Sequence, residues 1–145
     1  MTVDEENLRD TAPFEIPFDT IEAMVDLMVV VARSDGKIDQ DEAVALVALI
    51  NTLNRSVLDR QVTQSIVQKS SERLRRDGAR KTLERVGQTL AYLGKLKDAL
   101  GLGLDVARSG GKMTELEWTS LVLAGRSGNL PAEEIRAIIG DCPPK

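Results

Sequence analysis

The chain has 145 residues, one cysteine, no histidine and a formal net charge of −4. This length suits one domain with its own core, and the lack of histidine excludes Ser-His-Asp triads, Cys-His pairs and His-ligated zinc. The acidic balance argues against nucleic acid as the main partner, while the 3% aromatic content indicates an aliphatic core of packed helices.

The two ends of the chain are expected to lie outside the folded domain. Residues 1–17 carry a charged start and two prolines, which predicts a flexible N-terminal arm, and residues 141–145 form a Pro-rich tail. The acidic start is unlike a secretory signal, and the longest apolar run, residues 27–32, is too short to span a bilayer. Cys142 has no second cysteine to pair with. We therefore expect a cytoplasmic protein.

A helix is predicted to begin near Asp19, which forms a capping-box spacing with Glu22. Its apolar residues recur at helical spacing, and further apolar residues cover a second face. A helix that is apolar on most sides is expected to be central. The positions concerned are Ile21, Met24, Val25, Leu27, Met28, Val29, Val30, Val31 and Ala32.

A repeat follows this helix. Residues 31–42 and 106–117 are identical at seven of twelve positions, and each copy places a helix, a Gly-Lys turn and a second helix in succession. Gly36 can end the first helix in the left-handed conformation. Asp39 with Glu42, and Thr114 with Glu117, have the spacing of capping boxes. Five apolar positions of the second copy match the first: Leu96, Ala99, Leu100, Leu104 and Ala107 match Ile21, Met24, Val25, Val29 and Ala32.

Further helices are predicted between and after the two copies. One is marked by Leu58, Val62 and Ile66, and another by Leu83, Val86, Leu90 and Leu93. Residues 76–78 are the expected turn between them, with Asn54 and Gly94 as further helix ends. Gly101 and Gly103 predict either close approach of a neighbouring backbone or local weakness. Pro131, followed by two glutamates, predicts a short last helix. The result is an all-α domain, residues 18–140, with about seven helices in two related halves.

The first helix end, residues 32–38, has the form Ala-x-x-Asp-Gly-x-Ile, and the second, residues 107–113, is a variant with Gly in place of Asp and Met in place of Ile. Each is followed by a Glu. This pair of helix ends resembles the tellurite-resistance TerB family and its TerB-like relatives. Residues 128–135, Gly-Asn-Leu-Pro-Ala-Glu-Glu-Ile, also resemble the link and last helix of that family. The resemblance implies a helical, cytoplasmic, stress-linked domain without established catalysis. It also implies a divalent metal, calcium or magnesium, held by acids of the turns, which here are Asp35, Asp39, Glu42 and Glu117.

Capping explains the same four acids without a metal. Asp35-Gly36 serves as a helix stop, and Asp39 and Glu42 serve as a capping box. The second copy has Gly110 and Thr114 where the first has aspartates. Thr114 keeps the capping while abolishing strong ligation, so we favour the structural interpretation. A third interpretation makes Asp35 and Glu42 an acid/base pair of an enzyme.

A basic segment, Lys69 to Arg85, holds seven basic residues against three acids. It could steer an acidic protein, a membrane surface or nucleic acid, although solvated helix faces explain it more simply because no aromatic residue interleaves the charges. Arg33 and Arg108 occupy matched positions, and Trp118 is expected to fill the core or mark an interface.

These observations predict a non-enzymatic TerB-like stress-response binding or scaffold module. Weak divalent-metal binding at Asp35-Gly36 belongs to this prediction. The alternative is a purely structural protein-interaction module with no bound ion, which uses Trp118, the basic segment or the arm as its contact. A protein partner is expected in both cases, and peripheral membrane contact stays open.

Overall fold

The computed structural model describes residues 18–33, 43–48, 50, 60–109 and 111–143. Seven helical segments lie within these ranges, and no strand occurs among the described residues. They are α1 (Phe18–Ala32), α2 (residues 43–48 and 50), α3 (Arg60–Asp77), α4 (Ala79–Tyr92), α5 (Leu96–Ser109), α6 (Glu115–Ser127) and α7 (Ala132–Ile139). The all-α prediction is confirmed.

Helix α1 is the centre of the molecule. It packs against α3, α4, α5 and α6, and every residue from Ala23 to Ala32 is buried. The prediction of a central helix is therefore confirmed. It begins at Phe18, one residue before the predicted cap at Asp19. Helix α5 contributes its five matched apolar positions to the same core, since Leu96, Ala99, Leu100, Leu104 and Ala107 are all buried.

The helix ends are set by local sequence, largely as predicted. Gly78, with φ of 86°, separates α3 from α4. At the end of α4, Gly94 has φ of 72°, and the Lys95 N–H donates to the Leu90 carbonyl at 2.9 Å. This 6→1 bond is the signature of a Schellman motif. Helix α7 follows Pro131, which is its N-cap.

Helix α6 begins with the predicted capping box. The Thr114 hydroxyl accepts from the Glu117 N–H at 3.1 Å, and the Glu117 carboxylate accepts from the Thr114 N–H at 2.7 Å. Gly36, Asp39, Glu42 and Asn54 lie outside the described residues, as do the arm and the turn of the first unit.

Small residues let the helices approach closely. A methyl group on Gly103 would lie 2.6 Å from Leu121 Cδ2, so the close neighbour of this glycine is a side chain and not the backbone that the sequence predicted. Gly87 of α4 lies against the backbone carbonyl of Ala124 in α6. Gly101 has open space around it instead. The α4–α6 crossing therefore depends on Gly87.

We expect Gly87→Ala to lower the free energy of unfolding by about 2 kcal/mol, because the added methyl would overlap the Ala124 carbonyl and force the two helices apart. Gly101→Ala is the matched control in a helix interior with free space, and we expect it to be neutral or to stabilise by up to about 1 kcal/mol. Urea unfolding followed by circular dichroism measures both. Equal effects of the two substitutions would contradict the close α4–α6 crossing.

Candidate functional site

Asp26 places a carboxylate deep inside the core. Asp26 sits in the middle of α1, where only 2% of the residue is exposed and both chain neighbours, Val25 and Leu27, are fully buried. Burial of an unpaired carboxylate costs several kcal/mol, so the surrounding helices must supply partners.

The partners come from α3 and α4. Ser70 Oγ donates to Asp26 Oδ1 at 2.6 Å. Arg73 makes a two-pronged contact, with Nη2 at 2.7 Å from Oδ1 and Nε at 3.1 Å from Oδ2. Arg85 Nη2 lies 3.3 Å from Oδ2. Glu22, one turn before Asp26, adds a carboxylate 3.5 Å from Arg73 Nη1. We call these five residues the Asp26 cluster.

The charges of the Asp26 cluster balance, with two carboxylates facing two guanidinium groups. The hydrogen bond to Asp26 raises the pKa of Arg73 above its ordinary value, so this guanidinium stays charged. Both oxygens of Asp26 accept two contacts each, which leaves little capacity for a further ligand. The Asp26 cluster therefore joins α1, α3 and α4 electrostatically.

A cavity of about 200 Å³ borders the Asp26 cluster. Its walls include Glu22, Asp26, Arg73 and Arg85, together with Thr89. The charged groups on this wall already contact one another, and Ser70 uses its hydroxyl proton toward Asp26. The cavity is consequently the solvent-facing edge of a structural ion network.

The other basic side chains of the basic segment face outward, and they differ in whether they pair with a carboxylate. Arg76 pairs with Asp77 at 2.9 Å, and this contact lowers the pKa of Asp77. Arg80 is 3.8 Å from Glu84. Arg75 has no carboxylate partner among the described residues, and the same holds for Arg33 at the end of α1.

Arg33, Arg75 and Arg80 border a groove between α1, α3, α4 and α6. Two adjoining cavities, about 360 Å³ and 320 Å³, share Arg33, Leu74 and Ala79 as lining residues and so form one continuous depression. The apolar part of its lining consists of Val30, Leu74, Ala79, Leu83, Leu116 and Leu123. We call it the arginine groove. It offers an apolar surface with a positively charged edge.

Leu116 shows that this apolar surface is open to solvent. It is 57% exposed, although it belongs to a helix whose opposite face is buried at Leu121 and Ala124. An exposed apolar side chain beside arginines that lack a carboxylate partner in the described part of the chain is typical of protein contact surfaces, in which Arg is enriched.

The predicted metal residues are only partly within the described chain. Asp35, Asp39 and Glu42 lie outside it, so the acidic turn and the acid/base pair stay predictions. Glu117 is buried and uses its carboxylate in the capping box with Thr114. Among the described residues, no three acidic or cysteine side chains come together as a metal site.

The other candidate residues have structural surroundings. Trp118 is half-buried against the core, and its Nε1 donates to the Gly140 carbonyl at 3.1 Å, so it holds the end of α7. Arg108 is exposed at the end of α5. Cys142 is exposed and unpaired. None of the described helices combines the length and apolar character needed to cross a bilayer.

The Asp26 cluster was missed by sequence reasoning, which treated α1 through its apolar positions and through the capping-box spacing of Asp19 and Glu22. The available signal was Asp26 itself, because a charge within a helix apolar on most sides requires partners. Its partners are 44 to 59 positions away along the chain, so no local spacing identifies them. The arginine groove has the same origin, since four helices contribute to it.

Comparison of the chain with protein-family models, with curated proteins and with solved structures found no match. The likeness to TerB proteins accordingly stays a resemblance of motifs.

We expect Asp26→Asn to lower the free energy of unfolding by about 3 kcal/mol, because it leaves Arg73 and Arg85 without their shared carboxylate. Glu22→Gln is the control on the same face of α1. Glu22 is more exposed and makes a longer contact, so its loss should cost less than about 1 kcal/mol. Urea unfolding at neutral pH compares the two. Equal or greater stability of Asp26→Asn would contradict the role assigned to the Asp26 cluster.

Proposed function

We propose that this chain is a non-enzymatic, cytoplasmic, TerB-like stress-response module that binds another protein through the arginine groove. The observation that carries the proposal is the apolar depression edged by Arg33 and Arg75, neither of which has a carboxylate partner among the described residues. Within the described ranges, no carboxylate neutralises either charge.

The chemistry of the groove specifies the partner's chemistry. Leu74, Leu116 and Leu123 are at least partly exposed and offer apolar area to apolar residues of the partner. Arg33 and Arg75 offer forked donors that match carboxylates. A short protein segment that presents apolar residues flanked by Asp or Glu meets both requirements. The depression is too open to enclose a small molecule on most of its surface, as small-molecule sites do.

Nucleic acid and membrane are less suitable occupants. None of the lining residues is aromatic, so bases would find no stacking platform. The chain as a whole is acidic, with a net charge of −4, and an anionic bilayer would repel most of its surface.

The proposed protein contact is common to both predictions made from the sequence. One of them adds a divalent cation, calcium or magnesium, at the Asp35-Gly36 turn, and the other has no ion. The cation stays a prediction for Asp35, Asp39 and Glu42, and the groove does not depend on it. Stress response rests on the TerB resemblance alone.

The test compares two arginines that occupy matched helix ends. In the organism that encodes the chain, cross-linking and quantitative mass spectrometry should recover a partner with wild type and with Arg108→Glu, but not with Arg33→Glu. Arg33 edges the groove and Arg108 does not. Stress survival of a deletion strain should be restored by wild type and by Arg108→Glu, but not by Arg33→Glu. Purified variants must melt like wild type.

Two results would contradict the proposal. One is a partner that Arg33→Glu retains as well as Arg108→Glu does. The other is full rescue of stress survival by Arg33→Glu at equal expression.

A further inference from the structure

We propose that the chain's own N-terminal segment, residues 1–10, occupies the arginine groove and competes there with the protein partner. This inference rests on the proposed function, because it names a second ligand for the same groove. The segment lies outside the described residues, and its sequence, its length and its junction with α1 at Phe18 suit it to the groove.

The segment has the composition that the groove requires. Residues 1–10 contain four carboxylates, Asp4, Glu5, Glu6 and Asp10, and a single basic side chain, Arg9. Val3 and Leu8 place apolar side chains among the acids. The groove offers the complementary pattern, an apolar surface beside Arg33 and Arg75.

The tether is long enough. The segment joins the domain at Phe18, and the groove begins at Val30 near the other end of α1. Twelve helical residues correspond to about 18 Å. The eight residues from Asp10 to Phe18 span about 25 Å when extended. Arg33 lies fifteen residues beyond Phe18, or about 22 Å, so the link is long enough for the acids to reach it.

Tethering compensates for weak contacts. Each exposed pair between a carboxylate and an arginine contributes less than about 1 kcal/mol, which would not hold a free peptide. A short tether supplies an effective concentration in the millimolar range. Occupancy is then substantial yet reversible, and it is sensitive to salt because exposed charges are screened. A partner with more apolar area can displace the segment.

The experiment measures the position of the segment in the full chain. A nitroxide label is attached to Asn7→Cys, which leaves the four carboxylates in place, and Cys142→Ser removes the exposed native thiol. Paramagnetic broadening of backbone amides in the NMR spectrum is compared with the reduced label. We expect loss of intensity concentrated at residues 74–80 and at Arg33.

Two perturbations identify the cause of that broadening. It should disappear with Arg33→Glu combined with Arg75→Glu, and at 0.5 M salt, where the Debye length is only about 4 Å. It should persist with the matched control Arg108→Glu. Broadening that is uniform, that centres on another surface, or that survives both perturbations would overturn the inference.

Failure of this inference and failure of the proposed function are distinguishable. If the label leaves the groove unaffected while partner capture still requires Arg33, only the occupancy by residues 1–10 is wrong. If the label broadens the groove while the partner ignores Arg33, only the proposed function is wrong. When both are correct, Asp4→Lys with Glu5→Lys should increase partner capture severalfold, because a competitor has been removed.

Discussion

A carboxylate buried in the central helix is the constraint on which the arrangement of the described helices depends. Asp26 would be prohibitively costly within α1 without partners, and its partners lie on both helices of the α3–α4 pair. Helix α3 has mostly polar residues and little apolar surface of its own. Its position is therefore set by Ser70 and Arg73 as much as by hydrophobic burial. The position of α3 in turn fixes the position of the turn at Gly78 and of the edge of the arginine groove beside it.

The Asp26 cluster divides the basic segment into two parts with different roles. Arg73 and Arg85 are used inside the molecule, where they compensate a buried charge. Arg75 and Arg80 are left on the surface, beside Arg33 and an apolar depression. Neither a solvated helix face nor a uniform basic patch describes this segment adequately. The surface part alone is available for recognition.

Local rules explain how far sequence reasoning succeeds. The central helix, the glycine turns at 78 and 94, and the capping box of Thr114 and Glu117 all depend on residues within five positions of one another. The Asp26 cluster and the groove depend on residues from three or four helices, and neither periodicity nor spacing encodes which arginine meets which carboxylate. Glu117 illustrates the difference, because its spacing predicted a cap while the TerB resemblance implied a metal ligand, and the observed contact is the cap.

The most direct test of this account is a double-mutant cycle between Asp26→Asn and Arg73→Gln, with unfolding free energies measured in urea. The account predicts a coupling energy of at least about 1.5 kcal/mol, since the two side chains share two hydrogen bonds in a desolvated setting. A parallel cycle of Asp26→Asn with Arg76→Gln should give none, because Arg76 pairs with Asp77. Additivity of Asp26 and Arg73 within about 0.5 kcal/mol would contradict the account.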